Sequence, residues 1–338
     1  MTFAIFGTLA AWGTGASIQA NSVADALNST YSIPPLLTGF VLAAGAAAVI
    51  IGGIERIGLI ASKLVPAMAL AYVGAGFLVL IMNAGAIPAA FGSIFKGAFG
   101  MSSAGTGISI GLMMLAMQKG VARGIFSNEA GQGSAPIAHA AARNKDPVNQ
   151  GIVAMLGTVI DTLIVCTITA LIILTSGVVG PECIPTAETF GSFVAGTHAE
   201  VCDTGAPLTA AAFDATLTGL GEHIVTLGLV VFGFTTILGW SYYGERCAAY
   251  LFGEKIILPF RLSWIVVVFF GAAVLMFEGT VANIVNLFWL VADTLTGLMA
   301  APNLIALVLL SPLVFRMTKA YFAGIRLEDL DPEQDDVR

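Results

Sequence analysis

The sequence predicts an all-α polytopic membrane protein, and three features carry that expectation. Apolar runs long enough to cross a hydrocarbon core of about 30 Å, roughly 20 helical residues each, recur along nearly the whole length. Of the 338 residues, 57% are hydrophobic and only 10% charged, whereas an ordinary soluble domain carries about 25% charged residues. No water-soluble surface can be built from that. Finally, 39 glycines would weaken soluble helices, but in lipid small residues such as the run Gly45, Ala46, Ala47, Ala48 let helix backbones approach closely.

Taken in order, the apolar runs predict nine membrane helices, near 3–25, 34–53, 61–85, 104–118, 150–176, 221–243, 262–279, 282–298 and 302–318. Met1 opens directly into the first, without the basic n-region or small-residue cleavage pattern of a secretory signal, so that helix is expected to be retained. With a cytoplasmic N-terminus, Arg56, Lys63, Lys119, Arg123, Arg143, Lys145, Arg246, Lys255 and Arg261 fall inside and only Lys96 outside, as the positive-inside rule favours. The last three helices then put Arg316, Lys319 and Arg326 outside, against the same rule, unless one of the three is re-entrant or merged with a neighbour. The organisation expected is one transmembrane domain over 1–320, with an external loop at about 177–220 and a short acidic cytoplasmic tail at 321–338.

Net charge is −7, but the acids cluster in 180–222 and in the tail from Glu328 to Asp336, so no nucleic-acid partner is expected. The 180–222 segment has no Lys or Arg and contains Cys183 and Cys202, which would pair as a loop disulfide in an oxidising compartment, while Cys166 and Cys247 stay free. Residues 124–150 are too polar to face lipid, and flanking basic residues predict a cytoplasmic loop there.

Irregular backbone and polar groups at membrane depth are tolerated only where protein buries them or a watery cavity meets them. Three places qualify. Gly13, Gly15 and Gln19 lie in the first helix, where Gln19 offers two donors and an acceptor to a small zwitterion; the same glycines equally suit close packing. In the sixth helix Thr236 and Trp240 share a face, and the hydroxyls of Thr235 and Thr236 suit a hard cation such as Na⁺. Threonine also commonly bonds its own i−4 carbonyl, and Trp commonly anchors at an interface. Thr106, between Gly105 and Gly107, marks a candidate unwound segment or a packing contact.

Asp161, Asp293 and Glu222 lie in or at the edge of spans, where an ionisable group is by default a functional hypothesis. Asp161, followed by Thr162, is the deepest, and capping of a kinked helix or pairing with a basic residue near the cytoplasmic face is its structural alternative. His139, His198 and His223 have no ligand-spaced partners, so no metal centre is expected. There is no GxxxxGK[ST] loop for ATP.

The run from Arg123 through Ser127, Asn128, Glu129, Ala130 and Gly131 to Gly133, Ser134, Ala135, Pro136 and His139 closely resembles the signature of the alanine or glycine:cation symporter family. QANSVADAL at 19–27, IDTLIVCTITALIIL at 160–174, FTTILGWSYYGE at 234–245 and LMAAPNLIAL at 298–307 extend the resemblance over essentially the entire chain. The resemblance implies a leucine-transporter-type fold of two inverted five-helix repeats. It also implies Na⁺-coupled uptake of alanine or glycine by alternating access at the cell membrane, with no organic cofactor and no enzymatic chemistry. By family position, Gly13, Gly15, Gln19, Thr106, Thr236 and Trp240 would bind substrate, Thr235 and Thr236 the cation, and Ser127, Asn128 and Glu129 would belong to a cytoplasmic gate.

Family members carry further helices before the point matched by Met1, including the broken first core helix that supplies cation and substrate contacts. The expectation is therefore a partial fold that does not transport as it stands. The 180–222 loop also exceeds the family pattern. Rival classes are a channel or structural membrane subunit, and an intramembrane aspartyl protease using Asp161 and Asp293, around which no such motif is found.

Overall fold

A computed structural model describes residues 1–99, 107–180, 183, 205–277 and 284–325. Every regular element among the described residues is helical. In chain order they are α1 (Thr2–Ala10), a π-helical segment (Ala11–Ser17), α2 (Ile18–Tyr31), α3 (Pro35–Ile50), α4 (Gly53–Met82), α5 (Ile87–Ala98) and α6 (Gly107–Asn128). There follow α7 (Ala135–His139), α8 (Pro147–Thr158), a second π-helical segment (Val159–Cys166), α9 (Thr167–Ser176), α10 (Gly205–Asp214), α11 (Gly221–Phe252), α12 (Ile257–Ala273) and α13 (Ile284–Phe322).

Local sequence explains the boundaries. The first helix runs as one continuous α–π–α rod past the predicted 25, and stops where Ser32 turns left-handed (φ 54°) ahead of Pro34. Asp146 caps α8, its Oδ1 accepting from the backbone N–H of Val148 and Asn149, with Pro147 at the first helical position. The expected 104–118 helix instead runs to Asn128, so part of the expected polar loop is helical.

The separate helices expected at 282–298 and 302–318 are one element, α13. Met299, Ala300 and Ala301 between them are strong helix formers, and nothing ends the helix before Pro302. That is the merged arrangement the charge pattern allowed. Among the described residues five helices are long and apolar enough to cross a membrane, namely Gly53–Met82, Pro147–Ser176, Gly221–Phe252, Glu254–Met276 and Trp289–Phe322, with Pro35–Ile50 a shorter apolar helix.

Packing centres on the first rod. Ala10, Ala11, Ala16, Ala20, Val23 and Ala24 are buried in one core with Leu42 and Ala46 of α3, Ile237 and Trp240 of α11, Trp264 and Val268 of α12, and Met299 of α13. A second core joins Tyr72, Val79 and Leu80 of α4 to Ile168, Leu171 and Ile172 of α9 and Phe213 of α10, and α11 reaches it through Val225. Outward faces are apolar: Leu70, Ile81, Leu309 and Phe315 are each at least 70% exposed, as a lipid-facing surface requires.

One end of the bundle is tied by charge. Arg261 at the start of α12 donates from Nε (2.6 Å) and Nη2 (3.2 Å) to the buried Glu245 carboxylate of α11, and from Nη1 to the Ile51 carbonyl after α3. Arg246 lies 3.7 Å from the same carboxylate, half exposed. Removing one partner of a buried pair costs about 3–5 kcal/mol, because the other charge stays buried. Arg261→Ala is expected to destabilise the protein by about 3 kcal/mol, at the lower end because Arg246 remains, read as a fall in the thermal unfolding midpoint in detergent.

Candidate functional site

The site grows from a contact that only glycine permits. A Cβ placed on Gly15 would lie 2.2 Å from Cβ and 2.5 Å from Cγ of Trp240, so the indole of α11 rests on the bare backbone of the first rod's π-helical segment. π-helical turns are rare and concentrate at functional sites. Trp240 is 3% exposed, and Tyr243 packs edge-on against it with ring centroids 5.6 Å apart.

Polar groups gather around this contact. Thr14, one residue before Gly15, shares a 2.9 Å hydroxyl–hydroxyl bond with Thr296 of α13, and both are buried. Gln19 donates from Nε2 to the Thr14 carbonyl at 3.4 Å. Glu129, in the connector after α6, accepts from the Ser134 hydroxyl at 2.6 Å and stands within hydrogen-bonding reach of the Trp240 side chain. Burial pushes the Glu129 carboxyl above the usual carboxylate range, and the bonds from Ser134 and Trp240 partly offset it.

The connector folds inward. Gln132 and Ser134 are each 1% exposed, Gln132 donates to the Ile125 carbonyl, and Asn303 of α13 donates to the Gly131 carbonyl. Left-handed backbone at Glu129 (φ 53°), Gly131 (φ 74°) and Gly133 (φ 88°) makes the reversal.

Of the residues singled out from sequence, the structure brings Gly15, Trp240 and Glu129 together, with Gln19 one turn beyond. Gly13 faces away, its bare side toward Ala292 of α13, where an added Cβ would lie 3.3 Å from the alanine Cβ. Thr235 bonds back to the Val231 and Phe232 carbonyls of its own helix, both at 3.0 Å. Thr236 is half buried on the same helix. Ser127 and Asn128 point elsewhere, to Asp161 and Thr162. Thr106 and Cys202 lie outside the described residues; Cys183 is disulfide-bonded, and Cys166 and Cys247 are free. The sequence reading missed the Thr14–Thr296 pair, although a hydroxyl between two glycines was the available signal.

The remaining polar candidates have local partners. Asp293 pairs with Arg123 at 2.6 Å, and the guanidinium lies over Phe126 and Trp289. Asp161 and Asp293 are thus held by different residues of α6 and do not form the shared dyad a protease needs. His139 bonds Gln150 at 2.8 Å, His223 stacks on Tyr31, and His198 is outside the described residues. Glu222 and Asp214 line a cavity of about 570 Å³ between α2, α10 and α11.

Apolar helices closed on one another through glycine contacts, with an indole, hydroxyls, an amide and a carboxylate gathered inside, define a polytopic membrane protein with a polar centre. The profile of the sodium:alanine symporter family matches residues 1–335. The chain belongs to that family. It is 48% identical over 321 residues to the sodium/alanine symporter AgcS of Methanococcus maripaludis, covering 95% of this chain and 64% of that protein. It is 35% identical over 317 residues to the sodium/proton-dependent alanine carrier protein of Bacillus sp. PS3, covering 94% and 68%. A Haemophilus influenzae protein described only as an uncharacterized transporter is 40% identical over 335 residues, covering 98% and 67%. The chain therefore spans about two thirds of the length of these relatives.

Gly15→Ala is expected to cost about 1–3 kcal/mol through overpacking against Trp240 and to shift the tryptophan emission. Gly58→Ala, where an added Cβ meets nothing within 4 Å, should leave both the unfolding midpoint and the spectrum nearly unchanged.

Proposed function

We propose that this chain carries the scaffold and part of the binding site of a Na⁺-coupled symporter for a small neutral amino acid, alanine or glycine, in the cell membrane. The observation that carries the reading is the Gly15–Trp240 contact with Thr14, Gln19 and Glu129 around it. The names of the relatives from Methanococcus and Bacillus point to the same substrate and coupling ion.

In this reading Gly13, Gly15, Gln19, Thr106, Thr236 and Trp240 belong to the substrate site, and Thr235 and Thr236 to a cation site. Residues 127–129 form the gate, for which the left-handed turns at Glu129, Gly131 and Gly133 supply a hinge. The scaffold is of the leucine-transporter type. Ions and amino acid share a need for one arrangement of the helices, and the coupling is the difference in their affinity between outward-open and inward-open states. The membrane potential contributes about 2.3 kcal/mol per charge per 100 mV.

A single crossing by α13 places Arg316 and Lys319 on the same side as Arg56, Lys63, Arg246, Lys255 and Arg261, consistent with a cytoplasmic end there. Transport is tested by Na⁺-dependent uptake of labelled alanine and glycine into proteoliposomes, for this chain and for a form extended by the leading segment of its relatives. Saturable uptake that needs Na⁺ and falls at least tenfold in Trp240→Ala supports the reading. Linear flux indifferent to Na⁺ indicates a channel instead.

A further inference from the structure

Asp161 sits in the π-helical segment between α8 and α9, among outward-facing Ile160, Leu163 and Ile164. A carboxylate in apolar surroundings is costly unless a positive charge or strong donors meet it. Among the described residues no basic group pairs with it: the nearby cation on α6, Arg123, is committed to Asp293. What meets Asp161 is neutral. Ser127 donates from Oγ to its Oδ2, one residue along Thr162 donates from Oγ1 to Asn128 Oδ1 at 2.9 Å, and Asn128 Nδ2 lies 2.6 Å from the same hydroxyl.

Two consecutive residues of α6 therefore face two consecutive residues of the π-helical segment as parallel rungs. A second bond, from Asn128 Nδ2 to the Gly124 carbonyl at 3.1 Å, fixes the amide so that its oxygen points across the gap. The gap thus gathers a carboxylate, two hydroxyls and an amide oxygen, all hard donors, with one formal negative charge. That set matches a hard monovalent cation: soft ligands are confined to Cys166, whose Sγ is 3.9 Å from Ser127 Oγ, and a divalent ion would lack a second carboxylate.

We infer that Asp161, Ser127, Asn128 and Thr162 form a Na⁺ site between α6 and the π-helical segment, distinct from Thr235 and Thr236. On ion entry the Ser127 and Thr162 protons rotate outward and their lone pairs turn inward, with no covalent change. The ion neutralises Asp161 and holds the end of α6 in place. Because Asn128 is followed directly by Glu129, which reaches Trp240, occupancy sets the position of the connector at the substrate contact. This last step rests on the transport reading; the ion site itself does not.

The test is equilibrium binding of ²²Na⁺ to the purified chain in detergent, in choline chloride and without amino acid. Asp161→Asn should weaken binding at least tenfold. Ser127→Ala and Thr162→Val, which each remove one neutral oxygen and keep the charge balance, should weaken it about three- to tenfold. Glu222→Gln, a carboxylate on α11 outside the cluster, should have no effect. Unchanged binding in Asp161→Asn, or no Na⁺ binding by the parent chain, overturns the site. If Asp161→Asn does not fold, unchanged binding in both hydroxyl variants overturns it equally. Asp161-dependent Na⁺ binding, with no amino acid uptake even by a form extended by the leading segment of its relatives, leaves the site standing and removes the transport reading.

Discussion

The fold depends on how closely the first helical rod can approach its neighbours. Within lipid no hydrophobic force drives helices together, so association rests on van der Waals contact and interhelical hydrogen bonds. Gly15 under Trp240 is the tightest such contact, and Gly244 against Phe260 and Ala11, and Gly271 against the Ser17 backbone, repeat the device on the same rod. A methyl group at any of these positions pushes a helix outward. Because α11, α12 and α13 all lean on that rod, the position of each is fixed by a few missing side chains.

Hydrogen bonds then orient what close packing has assembled. Thr14 meets Thr296, Thr30 meets Thr226, and Tyr72 meets Thr169, each pair joining helices far apart in sequence. Such pairs exchange readily, since each threonine hydroxyl has an alternative in the i−4 carbonyl of its own helix. The Arg261–Glu245 bond is of the other kind, buried and charged, and holds one end of the bundle rigid. Rigid and exchangeable contacts on one frame suit a protein whose helices must move as bodies.

Much of this was legible in the sequence. The helical class followed from apolar run lengths, the close backbone contact at Gly15 from small residues inside a span, and the family from the motif around Ser127. The failures have physical causes. The break expected between 298 and 302 is absent, because Met299, Ala300 and Ala301 are strong helix formers and α13 runs through Pro302. The 129–134 connector reads as a solvated loop from its polarity, because burial by Trp240, Phe3 and Asn303 comes from segments distant in the chain. Likewise nothing local in Asp161-Thr162 reveals that Ser127 and Asn128, 34 residues earlier, stand opposite.

The length of α13 ties the protein to the thickness of its bilayer. Its helix Trp289–Phe322 has 34 residues, of which Asp293 and Arg316 bracket an uncharged stretch of 22, and only 6% of its most apolar window is buried inside the protein. At 1.5 Å per residue that stretch extends about 33 Å, so fitting it within a core of about 30 Å takes a tilt of roughly 25°, inside the 0–40° that membrane helices adopt. A thinner bilayer tilts the helix further or bends it at Pro302 or Pro312. Thr296 lies on the same helix and is bonded to Thr14. Acyl-chain length therefore pulls, through one lever, on the residue beside Gly15.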